Sequence, residues 1–229
     1  MEHISKILPG VSQQNIPKSK NFSYENPGDD PNYVEPTAEE RRSNWLLGYG
    51  GVTDLQNTFD KMRQPVGFEE TFSAFKNIAE GKTEWYMLLV YGGAGNGKSK
   101  CCEAVVITLY DRGIKAKREK WSDIIRFTLK ASLGKKQPDK LPYEEQFERL
   151  RDKKYLIIDD VGMGSTGGNW EWGELEDIVD YRLEHKLFTI ITTNLDIKNI
   201  PPRIVSRLRA SRCRLIRNKA TDQRPLEVQ

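Results

Sequence analysis

Residues 92–99 read Gly92-Gly93-Ala94-Gly95-Asn96-Gly97-Lys98-Ser99, and they are the most informative part of the sequence. It fits the pattern G-x-x-x-x-G-K-[ST] at every specified position. The apolar run Tyr86–Tyr91 before it predicts a buried strand, and the residues after it predict a helix from Lys98 to Arg112. A glycine-rich loop between a strand and a helix lets backbone N–H groups converge on phosphate oxygens. The stretch therefore predicts a nucleotide site.

The loop residues have separate predicted roles. We expect Lys98 to reach the β- and γ-phosphates of ATP and to assist catalysis, and the Ser99 hydroxyl to ligate Mg²⁺. ATP and Mg²⁺ are therefore the expected cofactors. The predicted nucleotide-binding set is Gly92, Gly93, Ala94, Gly95, Asn96, Gly97, Lys98, Ser99 and Lys100.

A second motif lies further along the chain, where the apolar run Leu156–Ile158 leads into Asp159 and Asp160. In P-loop proteins a carboxylate at the end of a buried strand holds Mg²⁺, and a nearby residue orients or deprotonates the attacking water. We therefore expect Asp159 to be a metal ligand and Asp160 to be catalytic. We also expect their strand to lie beside the strand that precedes the loop.

A third predicted strand, Leu187–Thr192, is followed by Asn194. The amide of Asn194 can hydrogen-bond to the γ-phosphate or to the attacking water, or it can simply belong to a turn. Further on, six arginines occur without an acidic residue among them: Arg203, Arg207, Arg209, Arg212, Arg214 and Arg217. They can form a solvated basic rim, reach the γ-phosphate of a neighbouring subunit, or contact nucleic acid.

The remaining sequence is typical of a parallel sheet covered by helices. Thr37 and Glu40 form a predicted capping box for a helix through residues 45–47. Ser122 is predicted to cap a later helix. Other predicted elements are a helix with Phe68, Phe72 and Phe75 on its buried face, a weak strand over Ile114–Lys117, helices over Trp170–His185 and Pro201–Leu208, and a strand over Cys213–Ile216. Strands that alternate with helices predict an α/β/α architecture.

Composition excludes several classes of protein. Among the 229 residues, no apolar run approaches the ~18–20 residues that a membrane span needs. The N-terminus lacks a signal-peptide pattern, and three cysteines cannot form a disulfide framework. We expect a cytoplasmic protein without membrane contact. The net charge of +3 is too small to predict nucleic-acid binding by itself.

The order of these motifs resembles the AAA+ ATPases of the DnaC/DnaI/IstB group, which are helicase loaders and transposition helpers. The similarity covers about Leu55 to the C-terminus. It rests on the P-loop, Asn57-Thr58-Phe59-Asp60, Asp159-Asp160-Val161-Gly162, Thr192-Thr193-Asn194 and Ser206-Arg207-Leu208. It implies an AAA+ P-loop NTPase fold, with a short N-terminal arm and no C-terminal lid domain.

The resemblance also implies roles for individual residues. Asp159 and Asp160 would form Walker B, with Asp160 at the position where glutamate is commonest in AAA+ proteins, and Asn194 would be sensor 1. Arg207 would be the arginine finger that acts on a neighbouring subunit, and Arg203 is its rival for that role. Further implied contacts are Arg224 with phosphate, and Lys130, Lys135 and Lys136 with single-stranded DNA.

The resulting hypothesis assigns residues 1–53 to an N-terminal arm with a short helix, which can bind a partner, and residues 54–229 to the AAA+ ATPase domain. The protein would be a DnaC-like helicase loader of phage or prophage type that acts in the bacterial cytosol. It would bind ATP and single-stranded DNA, form a homo-oligomer on either, and deliver or regulate a DnaB-like replicative helicase.

Two alternatives remain open at the level of sequence. An IstB-like transposition helper would use the same ATPase to act on duplex DNA. A P-loop kinase for a small molecule would need a lid over the γ-phosphate. The kinase hypothesis also gives no role to Thr192-Thr193-Asn194 or to Ser206-Arg207-Leu208.

Overall fold

A computed structural model describes residues 34–132, 148, 150–162 and 169–224. Its helices and strands are α1 (Ala38–Gly48), α2 (Glu69–Ala79), β1 (Met87–Tyr91), α3 (Lys98–Asp111), β2 (Lys117–Lys120), α4 (Trp121–Ser132), β3 (Tyr155–Val161), α5 (Asn169–Glu184), β4 (Phe188–Thr193), α6 (Pro202–Arg207) and β5 (Cys213–Arg217). A short 3₁₀ turn, Ile197–Asn199, precedes α6. No helix in these ranges has the length and apolar character that crossing a membrane requires.

The five strands form one sheet in the order β2-β3-β4-β1-β5, and every neighbouring pair is parallel. Strand β1 is buried on both faces. Leu88 and Val90 belong to the core on the side of α1, α2 and α3. Met87 and Leu89 belong to the core on the side of α4, α5 and α6. The predicted α/β/α architecture is confirmed, because a parallel sheet requires cover on both faces.

The position of β3 corrects one sequence-based expectation. Strand β3, which carries Asp159 and Asp160, does not lie beside β1, because β4 pairs with both of them. Adjacent motifs in the sequence do not specify adjacent strands in the sheet. The consequence is that residues at the end of β4 lie between the P-loop and the two aspartates.

Two smaller expectations are also wrong. The second strand is Lys117–Lys120 and not Ile114–Lys117, since the pairing with β3 begins at Lys117. The charged sequence of this strand, Lys117-Arg118-Glu119-Lys120, does not show the apolar pattern expected of a buried strand. Arg118 is buried because it forms an ion pair with Asp159. Helix α4 begins at Trp121, so Ser122 lies inside its first turn and is not its N-cap.

Helix α1 packs onto α3. Leu46 is fully buried in the core, and the rings of Trp45 and Tyr110 lie 4.9 Å apart. Nε of Arg42 donates to Oδ1 of Asp111 at 2.7 Å. The compact unit that contains the sheet begins at Ala38, so α1 is part of it.

Candidate nucleotide-binding site

The loop between β1 and α3 curls tightly, because three of its glycines have positive φ angles. These are 138° at Gly92, 67° at Gly95 and 90° at Gly97. Side-chain-bearing residues adopt such angles only with strain. At Gly92 a Cβ atom would also lie 2.3 Å from the carbonyl oxygen of Asn218. The glycines are therefore required by the shape of the loop.

Lys98 folds back over this loop. Its Nζ donates to the carbonyl oxygens of Gly92 (2.8 Å) and Gly93 (2.6 Å) and to Oδ1 of Asn96 (2.8 Å). The residue is only 5% exposed. Burial lowers the pKa of Lys98 to about 8, although the carboxylates of Asp160 and Asp159 oppose this shift. A cation held here is positioned to meet phosphate oxygens.

Asp159 lies at the base of the site and is 1% exposed. Its Oδ1 accepts hydrogen bonds from the hydroxyls of Ser99, at 3.3 Å, and Thr192. Its Oδ2 accepts from Nε and Nη2 of Arg118 at 3.0 and 2.6 Å. One oxygen of the carboxylate thus faces the P-loop helix, and the other is held by an arginine.

Asp160 is the inserted residue of a β-bulge. Ile158 of β3 pairs with Ile191 and Val161 pairs with Thr193, so two residues of β3 lie opposite one of β4. The φ angle of Asp160 is 62°, an uncommon value for a residue with a side chain. In a regular strand, neighbouring side chains point to opposite faces. The bulge therefore allows Asp160 to reach the cleft although Asp159 already faces α3.

Asn194 contacts Asp160 directly. Its Nδ2 donates to Oδ1 of Asp160 at 2.6 Å, and the N–H of Asp160 donates to Oγ1 of Thr192 at 3.0 Å. Burial and the neighbouring Asp159 raise the pKa of Asp160, whereas Lys98 and other cations oppose the shift. A carboxylate with this placement is suited to accept a proton.

Lys98, Asp160 and Asn194 line a cleft of about 680 Å³. The cleft brings together Ala94–Lys100 of the predicted loop set with Asp160, Asn194 and Arg224. The other end of the cleft is lined by Gln56, Asn57, Thr58, Lys61, Met62, Arg63, Pro65 and Phe68. Its mixture of polar and apolar walls suits a ligand with a planar base and a charged tail.

The segment after β5 crosses the P-loop. Residues 218–224 form no helix. Nδ2 of Asn218 donates to the carbonyl oxygen of Asn96 at 3.0 Å. The backbone N–H of Gln223 donates to the carbonyl oxygen of Gly95 at 2.9 Å. These two contacts hold the backbone of the P-loop from the side of the segment that follows β5.

Arg224 lines the cleft but pairs with Asp222, with Nη2 at 2.5 Å from Oδ2. This pair lowers the pKa of Asp222 to about 2.

Two other predicted residues, Arg203 and Arg207, are not among the described residues that line the cleft. Arg207 instead forms ion pairs with Glu176 and Asp180 of α5 in the same chain.

The predicted DNA contacts cannot be compared with the structure. Lys135 and Lys136 lie outside the described residues, as does the side chain of Lys130, whose backbone belongs to α4.

The oxygen atoms near the P-loop fit Mg²⁺. The Ser99 hydroxyl and Oδ1 of Asp159 are hard donors, and Mg²⁺ typically binds one or two such protein groups together with substrate phosphates. Within the described ranges, no group of three or more His, Cys, Asp or Glu side chains could hold a metal. If Mg²⁺ binds at Ser99 and Asp159, nucleotide phosphates would supply further ligands.

Sequence reasoning missed three residues around the site: Arg118, Glu103 and Asn218. Arg118 and Glu103 are buried ion-pair partners on β2 and α3, and Asn218 is 3% exposed beneath the P-loop. Their residue types are unremarkable in the sequence. A charged residue within a predicted buried element, such as Glu103 among the apolar residues of α3, is the one available signal.

Comparisons with known proteins identify solved structures with a similar fold. No protein-family model matches the chain. No curated protein matches its sequence significantly. Solved structures do match: the DnaC helicase loader has a TM-score of 0.58 at 19% identity, over 72% of this chain and 98% of that chain. DnaI has a TM-score of 0.58 at 16% identity, over 79% of this chain and 93% of that chain.

A third match is AMPPCP-bound DnaA from Aquifex aeolicus, with a TM-score of 0.59 at 17% identity over 72% of this chain. The match covers 50% of that DnaA chain, so the present chain spans about half of its length. At these identities the likeness shows the fold, which is that of an AAA+ P-loop NTPase domain.

Proposed function

We propose that this protein is a Mg²⁺-dependent ATPase that acts in DNA replication as a DnaC-like helicase loader. The observation that carries the ATPase part is one cleft in which the P-loop, Lys98, Asp160 and Asn194 converge. An ATP phosphate chain in this cleft would be bounded by the loop and by the ends of β3 and β4. The apolar side chains of Met62, Pro65 and Phe68 would pack against the base.

The residues of the chain have distinct tasks in this proposal. Lys98 would exchange its loop carbonyls for the β- and γ-phosphate oxygens. Asp160 would accept the proton of the water that attacks the γ-phosphate, and Asn194 would orient that water or the phosphate. When bound between Ser99, Asp159 and the nucleotide, Mg²⁺ would neutralise charge on the phosphates.

Catalysis would be shared between subunits, with Arg207 of a neighbouring subunit reaching the γ-phosphate. The placement of Arg207 outside the cleft of its own chain supports this arrangement. A guanidinium at the γ-phosphate stabilises the charge that develops in the transition state. The protein would therefore assemble as a homo-oligomer on ATP or DNA.

The role in replication is supported by the solved structures of similar fold, which include a helicase loader and a DnaA bound to AMPPCP and single-stranded DNA. The proposed partners are accordingly a replicative helicase and single-stranded DNA. Co-purification from a bacterial lysate with an ATP analogue tests the first partner. Recovery of a hexameric helicase supports a loader, whereas recovery of a transposase would replace it by a transposition helper.

The proposed contact with single-stranded DNA is tested by its salt dependence. Each phosphate that a protein neutralises contributes roughly −0.7 to the slope of log K against log salt. Replacing Lys135 and Lys136 by glutamine should flatten that slope. An unchanged slope would exclude these lysines as DNA contacts.

A further inference from the structure

A network of buried charged side chains lies behind the nucleotide cleft. Arg118 on β2 donates from Nε and Nη2 to Oδ2 of Asp159, at 3.0 and 2.6 Å. Its Nη1 lies 3.4 Å from Oε1 of Glu103 on α3 and donates to the carbonyl oxygen of Gly51 at 2.8 Å. The exposed fractions are 6% for Arg118, 4% for Glu103 and 1% for Asp159. One guanidinium therefore joins two buried carboxylates.

Glu103 in turn holds a segment that lines the cleft. Its Oε1 accepts from the Thr53 hydroxyl at 2.7 Å, and its Oε2 accepts from Nδ2 of Asn57 at 2.9 Å and from the N–H of Asp54 at 3.2 Å. Asn57 is one of the residues that line the cleft. The network thus runs from this wall of the cleft, through Glu103 and Arg118, to the carboxylate beside the P-loop.

The network depends on an arginine for physical reasons. Buried carboxylates are costly unless they are paired and hydrogen-bonded. Burial, the largest single influence, lowers the pKa of Arg118, but the charge and hydrogen bond of Asp159 together with the nearby Cys102 and Glu103 raise it, and the net pKa is raised. The planar guanidinium has donors in fixed directions, so it can hold Asp159 and Glu103 at set angles to each other. It leaves Oδ1 of Asp159 directed at Ser99.

We propose that Arg118 is a positioning residue of the Mg²⁺–nucleotide site. It fixes Asp159 with Oδ1 toward the P-loop and, through Glu103, ties that carboxylate to residues 53–57. The inference rests on the proposed function, because that function assigns Mg²⁺ to Ser99 and Asp159. Residues that orient a ligating side chain typically change metal affinity by roughly 10–100-fold when they are replaced.

The test compares Arg118→Met and Arg118→Lys with Arg182→Met and Arg182→Lys. Arg182 is a matched control because it is fully buried and donates to Oγ1 of Thr189 at 2.7 Å, away from the cleft. The affinity for a fluorescent ADP analogue is measured in EDTA and then against increasing Mg²⁺. Arg118→Met should keep the affinity in EDTA and raise the half-maximal Mg²⁺ concentration at least about tenfold. Arg118→Lys should be intermediate, and both Arg182 variants should match the wild type.

A second readout needs no ligand. Hydrogen exchange of the peptide that spans residues 53–57 should become faster in both Arg118 variants and stay unchanged in the Arg182 variants. This measurement separates the positioning role from a general loss of stability. If Arg118→Met does not fold, Arg118→Lys supplies both measurements.

An unchanged or lower half-maximal Mg²⁺ concentration in the Arg118 variants, or unchanged exchange at residues 53–57, would overturn the inference. A wild-type protein that does not bind the ADP analogue would contradict the proposed function instead. The exchange experiment would still decide in that case whether Arg118 holds the segment.

Discussion

The side-chain amide of Asn194, which follows β4, donates a 2.6 Å hydrogen bond to Oδ1 of Asp160, which lies in the bulge of β3. The bond occupies one oxygen of the carboxylate proposed to activate water. It also fixes the direction of a side chain whose backbone has a positive φ angle. The proposed catalytic role of Asp160 therefore depends on the orientation that Asn194 supplies.

Asp160→Asn should retain ATP affinity and lose turnover by about 10²–10⁴-fold, the usual contribution of a general base. Binding should survive because the P-loop and Asp159 are intact. Equilibrium binding of an ATP analogue and steady-state phosphate release measure the two quantities. Asp111→Asn, which alters an exposed carboxylate paired with Arg42, is the control. Equal loss of affinity and turnover would mean that Asp160 acts in binding.

If Lys98 binds phosphate as proposed, nucleotide binding should depend on pH. The Lys98 pKa of about 8 in the free protein means that the charge of this side chain is lost as the pH rises above 8. Phosphate favours the charged form, so binding above that pH requires proton uptake and becomes weaker. Affinity for ADP in EDTA should fall by up to about tenfold per pH unit above pH 8. Calorimetry in buffers of different ionisation enthalpy measures the proton uptake.

Lys98→Ala is the control for this dependence. It should bind nucleotide weakly at every pH, without the proton uptake near pH 8, and it should not hydrolyse ATP. A wild-type affinity that is constant from pH 7 to pH 10 would show that Lys98 does not contact phosphate.

Gly92→Ala and Gly93→Ala should differ in stability although the residues are adjacent. A Cβ at Gly92 would lie 2.3 Å from the carbonyl oxygen of Asn218, at a φ angle of 138°, whereas a Cβ at Gly93 meets nothing within 4 Å. We expect Gly92→Ala to cost about 1–3 kcal/mol of unfolding free energy, and Gly93→Ala to cost much less. Urea denaturation without nucleotide measures both. Equal losses would contradict the close approach of residues 92 and 218.

The sequence was sufficient to predict the fold class and the convergence of the P-loop with Asp160 and Asn194, because these follow from local motifs at strand ends. It could not predict that β4 separates β3 from β1, since strand order depends on how the crossover connections pack. It also could not predict Arg118, because an Arg-Glu-Lys stretch looks exposed until its buried partners Glu103 and Asp159 are known.

Arg207→Ala should fold and bind ATP but hydrolyse it slowly, even at high protein concentration. In the structure Arg207 pairs with Glu176 and Asp180, so it would have to leave these carboxylates to reach a neighbouring subunit. Arginine fingers contribute roughly 10³–10⁵ in rate in GTPases. Phosphate release from an equimolar mixture of Arg207→Ala and Lys98→Ala proteins should exceed that of either alone. Mixed interfaces then combine an intact P-loop with an intact Arg207.

No recovery of activity, in mixtures shown by mass spectrometry to contain both variants, would assign Arg207 to the ion pairs with α5. Arg203→Ala is the matched control on the same helix, since it is 80% exposed and lies 3.8 Å from Glu176. It should leave turnover unchanged. If Arg203→Ala loses activity and Arg207→Ala does not, Arg203 would be the arginine finger and Arg207 would have no role in catalysis.

The packing of α1 on α3 decides how this protein can be shortened for study. A fragment that begins at Asp54 would lack Leu46, leaving a gap in the core, and would lack the carbonyl oxygens of Gly50 and Gly51 that accept from Arg118. Such a fragment should aggregate or bind nucleotide poorly, and its failure would say nothing about an N-terminal partner. Deletions meant to remove partner binding alone should therefore stop before Ala38.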